Sequence, residues 1–238
     1  MRVTILETGR APGRLSEDYP RYPDMFVSLL SKADKNLSFE TVALLDGTPL
    51  PDPEACEAVL ITGSPFGVYD STPWMDPLRA FIRGAYHSKT PMVGVCFGHQ
   101  VIADALGGVV RKSEKGWGVG RHTYDVLEAR PWMDGAGTSM SLAVSHQDQV
   151  ITPPEGAVTL ARSAHTEHAM LAYQDAPVIS LQGHPEFSDT FVAALYSARR
   201  GKSLTEAAAD AAIASLKGSE DNAKVAGWMA RFLTTARG

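Results

Sequence analysis

The chain has 238 residues, 44% of them hydrophobic and 21% charged, with 22 Lys plus Arg against 27 Asp plus Glu for a formal net charge of −5. That balance supports a full-sized core, and the 21 Gly and 15 Pro are scattered without period, so disordered, collagen-like and low-complexity classes are excluded. The acidic balance lacks the basic excess of a nucleic-acid-binding surface, and no apolar run approaches the roughly 18 residues of a membrane span, so neither nucleic acid nor membrane is expected as a partner.

In chain order, Arg2 to Glu7 reads as a buried strand, Tyr22 to Ala33 as an amphipathic helix, and Phe39 to Leu45 and Glu57 to Thr62 as further strands. Pro77 to His87 carries helical spacing, Pro91 to Cys96 is a Val-rich strand, and Val101 to Leu106 is helical again. Alternation of this kind implies a mostly parallel sheet covered by helices on both faces, an α/β fold. After Gly107-Gly108 come strands without long helices between them, at about His122 to Leu127, Ser139 to Val144, Ala157 to Ala161 and Pro177 to Gln182, which predicts an antiparallel extension. The tail is helical at Phe191 to Arg199, Leu204 to Leu216 and Ala223 to Leu233, a cover at about 189–238. Without an internal repeat, charge block or Ser/Gly-rich linker, residues 1–238 are expected to form a single domain. The apolar stretch at Met1 to Glu7 is too short for a signal-peptide core, and the expected location is cytoplasmic.

Two cysteines, Cys56 and Cys96, cannot frame a disulfide scaffold, so each is explained by packing or by chemistry. Cys56 has no glycine turn and no suggestive partners, and reads as packing. Cys96 sits in Gly94-Val95-Cys96-Phe97-Gly98-His99-Gln100, a G-x-C-x-G between strand and helix. In a nucleophile elbow the flanking glycines remove Cβ atoms that would strike the neighbouring backbone, and the helix N-terminus favours a thiolate. The same turn points the Phe97 N–H at any oxyanion formed beside Cys96. Taken alone, G-x-C-x-G is equally compatible with a buried Cys in a glycine-containing connection.

A nucleophilic thiol needs a base. In Gly183-His184-Pro185-Glu186, an extended chain would place His184 and Glu186 on one side, with Pro185 stiffening the link. The carboxylate would hold the imidazole tautomer and favour the imidazolium. Alone, this motif also fits a strand-end His beside a solvated Glu. His146 is the alternative base, with Asp148 as its nearest carboxylate. His99 is expected to pack or cap, and His165 and His168, without a third placed ligand, read as surface residues rather than a metal pair. Lys115 to Gly120 lacks the lysine placement of a phosphate loop, leaving Trp117 to line a cleft or cover a sheet edge. No metal or cofactor is expected.

Together the two motifs resemble the class I glutamine amidotransferase family, whose nucleophile segment reads G-x-C-x-G-x-Q and whose triad is completed by a downstream H-P-E. The resemblance spans about Val3 to Phe187 and implies a flavodoxin-like architecture with Cys96, His184 and Glu186 as the catalytic triad. It implies that Gly63 and Ser64, in Ile61-Thr62-Gly63-Ser64-Pro65, form an oxyanion loop whose Ser64 N–H joins that of Phe97. It also implies that Gln100, otherwise a solvated helix residue, and Ser145, His146 and Gln147 of Ser145-His146-Gln147-Asp148 bind substrate. Ser64 departs from the usual Gly, and since Ser tolerates positive φ poorly, an altered loop or one organised by substrate is expected. The implied reaction is hydrolysis of a γ-glutamyl amide through a thioester, either by a stand-alone enzyme of the branch that cleaves γ-glutamyl peptides and amines or by a glutaminase subunit serving a separate synthetase or amine-acceptor partner. A non-enzymatic thiol sensor on the same fold is the third reading.

Overall fold

Strands buried on both faces need cover on both sides, and that demand organises the chain. The computed structural model describes residues 1–236, so the last two residues of the expected cover lie outside it. The order of elements is β1 (Arg2–Glu7), α1 (Leu15–Asp18), α2 (Tyr22–Ala33), β2 (Ser38–Ala43), β3 (Ala58–Ile61), α3 (Met75–His87), β4 (Met92–Val95), α4 (Phe97–Ala105), β5 (Val109–Lys112), β6 (Gly118–Val126), β7 (Ser139–His146), β8 (Asp148–Thr152), β9 (Ala157–Arg162), β10 (Met170–Tyr173), β11 (Val178–Leu181), α5 (Asp189–Arg199), α6 (Glu206–Ser215) and α7 (Asn222–Thr235). The main sheet runs β2-β1-β3-β4-β11-β10-β9-β6-β7. Its first five strands are parallel, with Ile5 beside Leu60 and Gly94 beside Ser180, and the remaining pairs are antiparallel. The mostly parallel core and the antiparallel extension are both present.

Side chains of the central strands alternate between two helical layers. Leu60, Val93 and Val95 pack with Phe26 and Leu30 of α2 and with Trp228, Met229 and Leu233 of α7. Val59, Ile61 and Met92 face the other way, onto Leu78 and Ile82 of α3 and Val101 and Ile102 of α4. The last helix is thus part of the core rather than only a cover over it. Over β6 and β7 lie α5 and α6, and the buried Tyr196 hydroxyl accepts from the Gly120 N–H at 2.8 Å, tying α5 to the sheet.

The structure differs from the expectations in places with local causes. α4 begins at Phe97, four residues before the expected Val101, because the turn at Cys96 is itself the start of the helix. Leu204 precedes α6, whose N-cap is Thr205, with its hydroxyl accepting from the Ala208 N–H at 3.2 Å. Strands β5, β8 and β10 were not expected; β5 and β8 pair with each other as a separate two-stranded sheet. At the carboxyl end of β1, the wholly buried Glu7 accepts hydrogen bonds from Arg10 and Arg21 and anchors the segment that follows. Among the described residues no helix is long and apolar enough to cross a membrane.

Trp228 of α7 is buried at 1% exposure, and its indole N–H donates to the Asp134 carbonyl at 2.8 Å. Trp228→Ala is expected to destabilise the fold by about 3–5 kcal/mol in urea denaturation. A loss under about 1 kcal/mol would show that α7 does not close the core.

Candidate active site

At the end of the central strand β4 the chain turns directly into α4, and the turning residue is Cys96, at φ 53° and ψ −102°. This backbone state is rare for a side-chain-bearing residue and stores roughly 1–3 kcal/mol. The turn closes because its glycines have no side chains. A Cβ on Gly94 would lie 2.5 Å from the Gly98 carbonyl oxygen, and one on Gly98 would lie 2.2 Å from that of Ile61. The Cys96 N–H donates to Leu181 and the Gly98 N–H to Thr62, so the strands on either side both hold the turn. Cys56 lies elsewhere, buried with its sulfur 3.6 Å from the Asp52 carbonyl, and burial pushes its thiol pKa up.

His184 follows β11, the neighbour of β4, and its N–H donates to Ala143. Its ring Nδ1 is 2.7 Å from Glu186 Oε1, and the ring stacks on Phe187 at 4.0 Å between centroids. An extended chain was expected to bring His184 and Glu186 together; instead a turn at Pro185-Glu186 does so. The ring shares the wall of one cleft with Cys96. Burial by itself would strip the imidazole of its proton, but the Glu186 charge and the Cys96 side chain outweigh it and push the pKa up to about 10. Both side chains converge on Gly63, where a Cβ would lie 3.0 Å from His184 Cε1 and 3.7 Å from Cys96 Cβ.

Ser64 does not occupy the left-handed region, contrary to the concern raised by its replacing Gly. Its hydroxyl donates to the Thr8 carbonyl at 2.6 Å and accepts from the Phe66 N–H at 3.1 Å, which holds the loop in place. The backbone N–H groups of Ser64 and Phe97 find no backbone acceptor among the described residues.

Two clefts meet at Cys96. The larger, about 460 Å³, has His184, Phe187, Tyr22 and Leu195 in its walls and is also lined by Gly63. The smaller, about 200 Å³, holds Gln100, His146, Gln147 and Asp148. Ser64, Ser145 and Arg199 border both. Gln100 is buried rather than solvated, and its amide donates to the Asp148 carbonyl at 2.8 Å and to Gln182 Oε1 at 3.1 Å. The smaller cleft also holds Asp148 and Lys112, a carboxylate and an ammonium.

The alternative base is placed differently. Burial holds the His146 pKa well below its ordinary value, and Nδ1 of the neutral ring donates to the Asp148 backbone carbonyl at 3.1 Å. The Asp148 carboxylate is taken by the Tyr69 hydroxyl at 2.9 Å. His99 is wholly buried against Ser180 at 2.8 Å, and burial lowers its pKa to about 3. His165 and His168 are half-buried rather than on the surface; one ring meets His122 and His146 while the other meets Thr159. Among the described residues no group of three or more His, Cys, Asp or Glu is arranged to hold a metal ion. Sequence reasoning missed Arg199, which at the end of α5 reads as an ordinary last-turn cation. The guanidinium stacks over Trp117 at 4.9 Å and donates to the Ser145 hydroxyl. Trp117 itself lines the smaller cleft.

Comparison with known proteins bears on family and fold. The family model described as glutamine amidotransferase class-I matches residues 33–195. A glutamine amidotransferase-like protein of Schizosaccharomyces pombe is 27% identical over 97% of this chain and 98% of its own. A glutamine-hydrolyzing GMP synthase subunit of Methanosarcina barkeri is 31% identical over 69% of this chain and 84% of its own. Gamma-glutamyl peptidase 4 of Arabidopsis thaliana is 31% identical over 71% of this chain and 69% of its own. A solved glutamine amidotransferase of Thermotoga maritima superposes with a TM-score of 0.75 over 98% of this chain and 96% of its own, a likeness of fold at 19% identity. With a flavodoxin-like α/β sheet and a family match across most of its length, the chain belongs to the class I glutamine amidotransferases.

Proposed function

We propose that the chain hydrolyses a γ-glutamyl amide bond through a γ-glutamyl thioester on Cys96. The observation that carries this reading is the buried His184, paired with Glu186 at 2.7 Å and converging with Cys96 on Gly63, at the point where two clefts meet. Cys96 Sγ attacks the γ-carbonyl carbon, and the carbonyl electron pair moves onto oxygen, where the Ser64 and Phe97 N–H groups receive it. As that pair returns, the C–N bond breaks and the leaving nitrogen takes the His184 proton. Water then adds to the thioester, gives its proton to His184 and expels the Cys96 thiolate, leaving free glutamate. Glu186 orients the ring and stabilises its charge. The γ-glutamyl end occupies the smaller cleft, among Gln100, Ser145, His146 and Gln147, where Asp148 and Lys112 suit an α-amino acid. Gly63 contributes the space between nucleophile and base.

A second reading is favoured by the similarity to the archaeal GMP synthase subunit: a glutaminase that passes ammonia to a synthetase partner. The two separate on the purified chain. A stand-alone hydrolase releases glutamate from at least one γ-glutamyl amine or peptide, with free glutamine the poorer substrate; inactivity relieved only by cell extract would favour the partnered enzyme. Inactivity in both conditions, with Cys96 still readily oxidised, would favour a thiol sensor.

Cys96→Ala is expected to abolish turnover with the fold intact, while Cys56→Ala changes it little. Labelling by a glutamine-like electrophile, mapped by peptide mass, is expected at Cys96, and labelling at Cys56 alone would remove the mechanism. His184→Ala should cost roughly 10²–10⁴ in kcat, well beyond the effect of His146→Ala. Equal losses at the two would leave His184 without its assigned part.

The charge on Glu186 supports the raised pKa of His184, so Glu186→Gln removes support from the imidazolium and leaves burial to act. The folded value lies above the unfolded value of about 6.5, so this pairing stabilises the fold fully below that pH and is lost as pH rises towards about 10. In Glu186→Gln the alkaline limb of the kcat profile is expected to move to lower pH, with KM little changed. An unmoved limb and unchanged kcat would exclude Glu186 from the mechanism.

A further inference from the structure

Arg199 is half-buried, lines both clefts beside Cys96, and makes no ion pair among the described residues. Its neighbours are not in that position. Arg200 is paired with Asp210, Arg121 with Asp189, and Arg10 with Glu7 and Asp46. The groups that act electrostatically on Arg199 are Tyr22, Cys96 and Tyr196, none of them a carboxylate, and burial lowers its pKa. A guanidinium partly withdrawn from water without a counter-ion is costly, and it is nonetheless held in one orientation by the Trp117 ring and the Ser145 hydroxyl. Such a group is prepared for an anion that arrives with the substrate.

The geometry of the two clefts says which end of the substrate carries that anion. His184, which must face the leaving nitrogen, lines the larger cleft and not the smaller. The leaving portion therefore enters the larger cleft. Ammonia would leave a space of about 460 Å³ almost empty. The wall there is apolar at Leu15, Tyr22 and Leu195, and its rim carries Arg14 and Lys202, likewise without an ion pair among the described residues. The smaller cleft has its own cation in Lys112.

We propose that Arg199, with Lys202 beside it, is a specificity residue that receives a carboxylate on the leaving portion of the substrate, so that the preferred leaving group is the amine of an amino acid or peptide. This rests on the γ-glutamyl hydrolysis proposed above, and deepens it.

The test compares γ-glutamylglycine with γ-glutamylglycinamide, which differ in the leaving-side carboxylate. For the wild-type chain kcat/KM should favour the acid by on the order of tenfold or more. In Arg199→Gln that preference should fall close to parity, and Arg199→Lys, which keeps the charge, should retain part of it. Three results overturn the assignment: no preference in the wild type, an undiminished preference in Arg199→Gln, or an equal proportional loss on both compounds, which would place the guanidinium on the γ-glutamyl end. Should Arg199→Gln fail to fold, a weakened preference in Lys202→Gln supports the assignment and an unchanged one overturns it. Hydrolysis of neither compound would contradict the γ-glutamyl reading itself; calorimetric binding of both to Cys96→Ala then decides for Arg199, with tighter binding of the acid supporting it and equal binding overturning it.

Discussion

The site depends on how little room there is between the end of β4 and the start of α4. Cys96 makes the whole change of direction in one residue, at a φ of 53°, and the backbone of Gly98 comes against that of Ile61 so closely that no Cβ fits. Hydrogen bonds from the turn to Thr62 and Leu181 fasten it to the strands on both sides. A parallel sheet buried between two helical layers over-determines the position of its central strand, which is what allows a strained residue to persist at its tip. Cys96 is held in this conformation by the packing of the sheet together with its own N–H bond to Leu181.

Charge is distributed around the turn in a way that its burial makes consequential. Glu186 lies within hydrogen-bond distance of one nitrogen of a buried imidazole, so the proton on that ring is stabilised against the desolvation that strips protons from His99 and His146. Three buried histidines in one fold thus hold different charge states because one of them has a carboxylate beside it. Arg199, which lines both clefts with Cys96, is the reverse case, a half-buried cation whose counter-charge the described residues do not supply.

The strands and helices of the parallel half were legible because short apolar runs alternate there with stretches of helical spacing. The strand β10, at Met170–Tyr173, is as short as β3 and β4 but has no helical stretch beside it to set it off, and it is a strand by virtue of its neighbours. The adjacency of His184 and Glu186 was legible from spacing, although the cause is a turn and not an extended strand. From its place on a helix alone Gln100 reads as solvated, and only the family resemblance brings it to the site; α4 lies almost wholly inside the fold, so no face of it reaches water at that residue. Arg199 left no local signature: its significance comes from Trp117 and Ser145, which are distant in sequence and meet it only when α5 is laid over β6 and β7.

The central claim is that the thiol held by this turn becomes acylated during turnover. Acid quenching of the purified chain in the first turnovers of a γ-glutamyl substrate, followed by peptide mass analysis, observes that step directly. The account predicts that the peptide containing Cys96 gains the mass of one γ-glutamyl group, and that the gain is reversed by hydroxylamine, as a thioester requires. Glutamate release with no adduct on Cys96 under any quench time, or an adduct confined to Cys56, would contradict it.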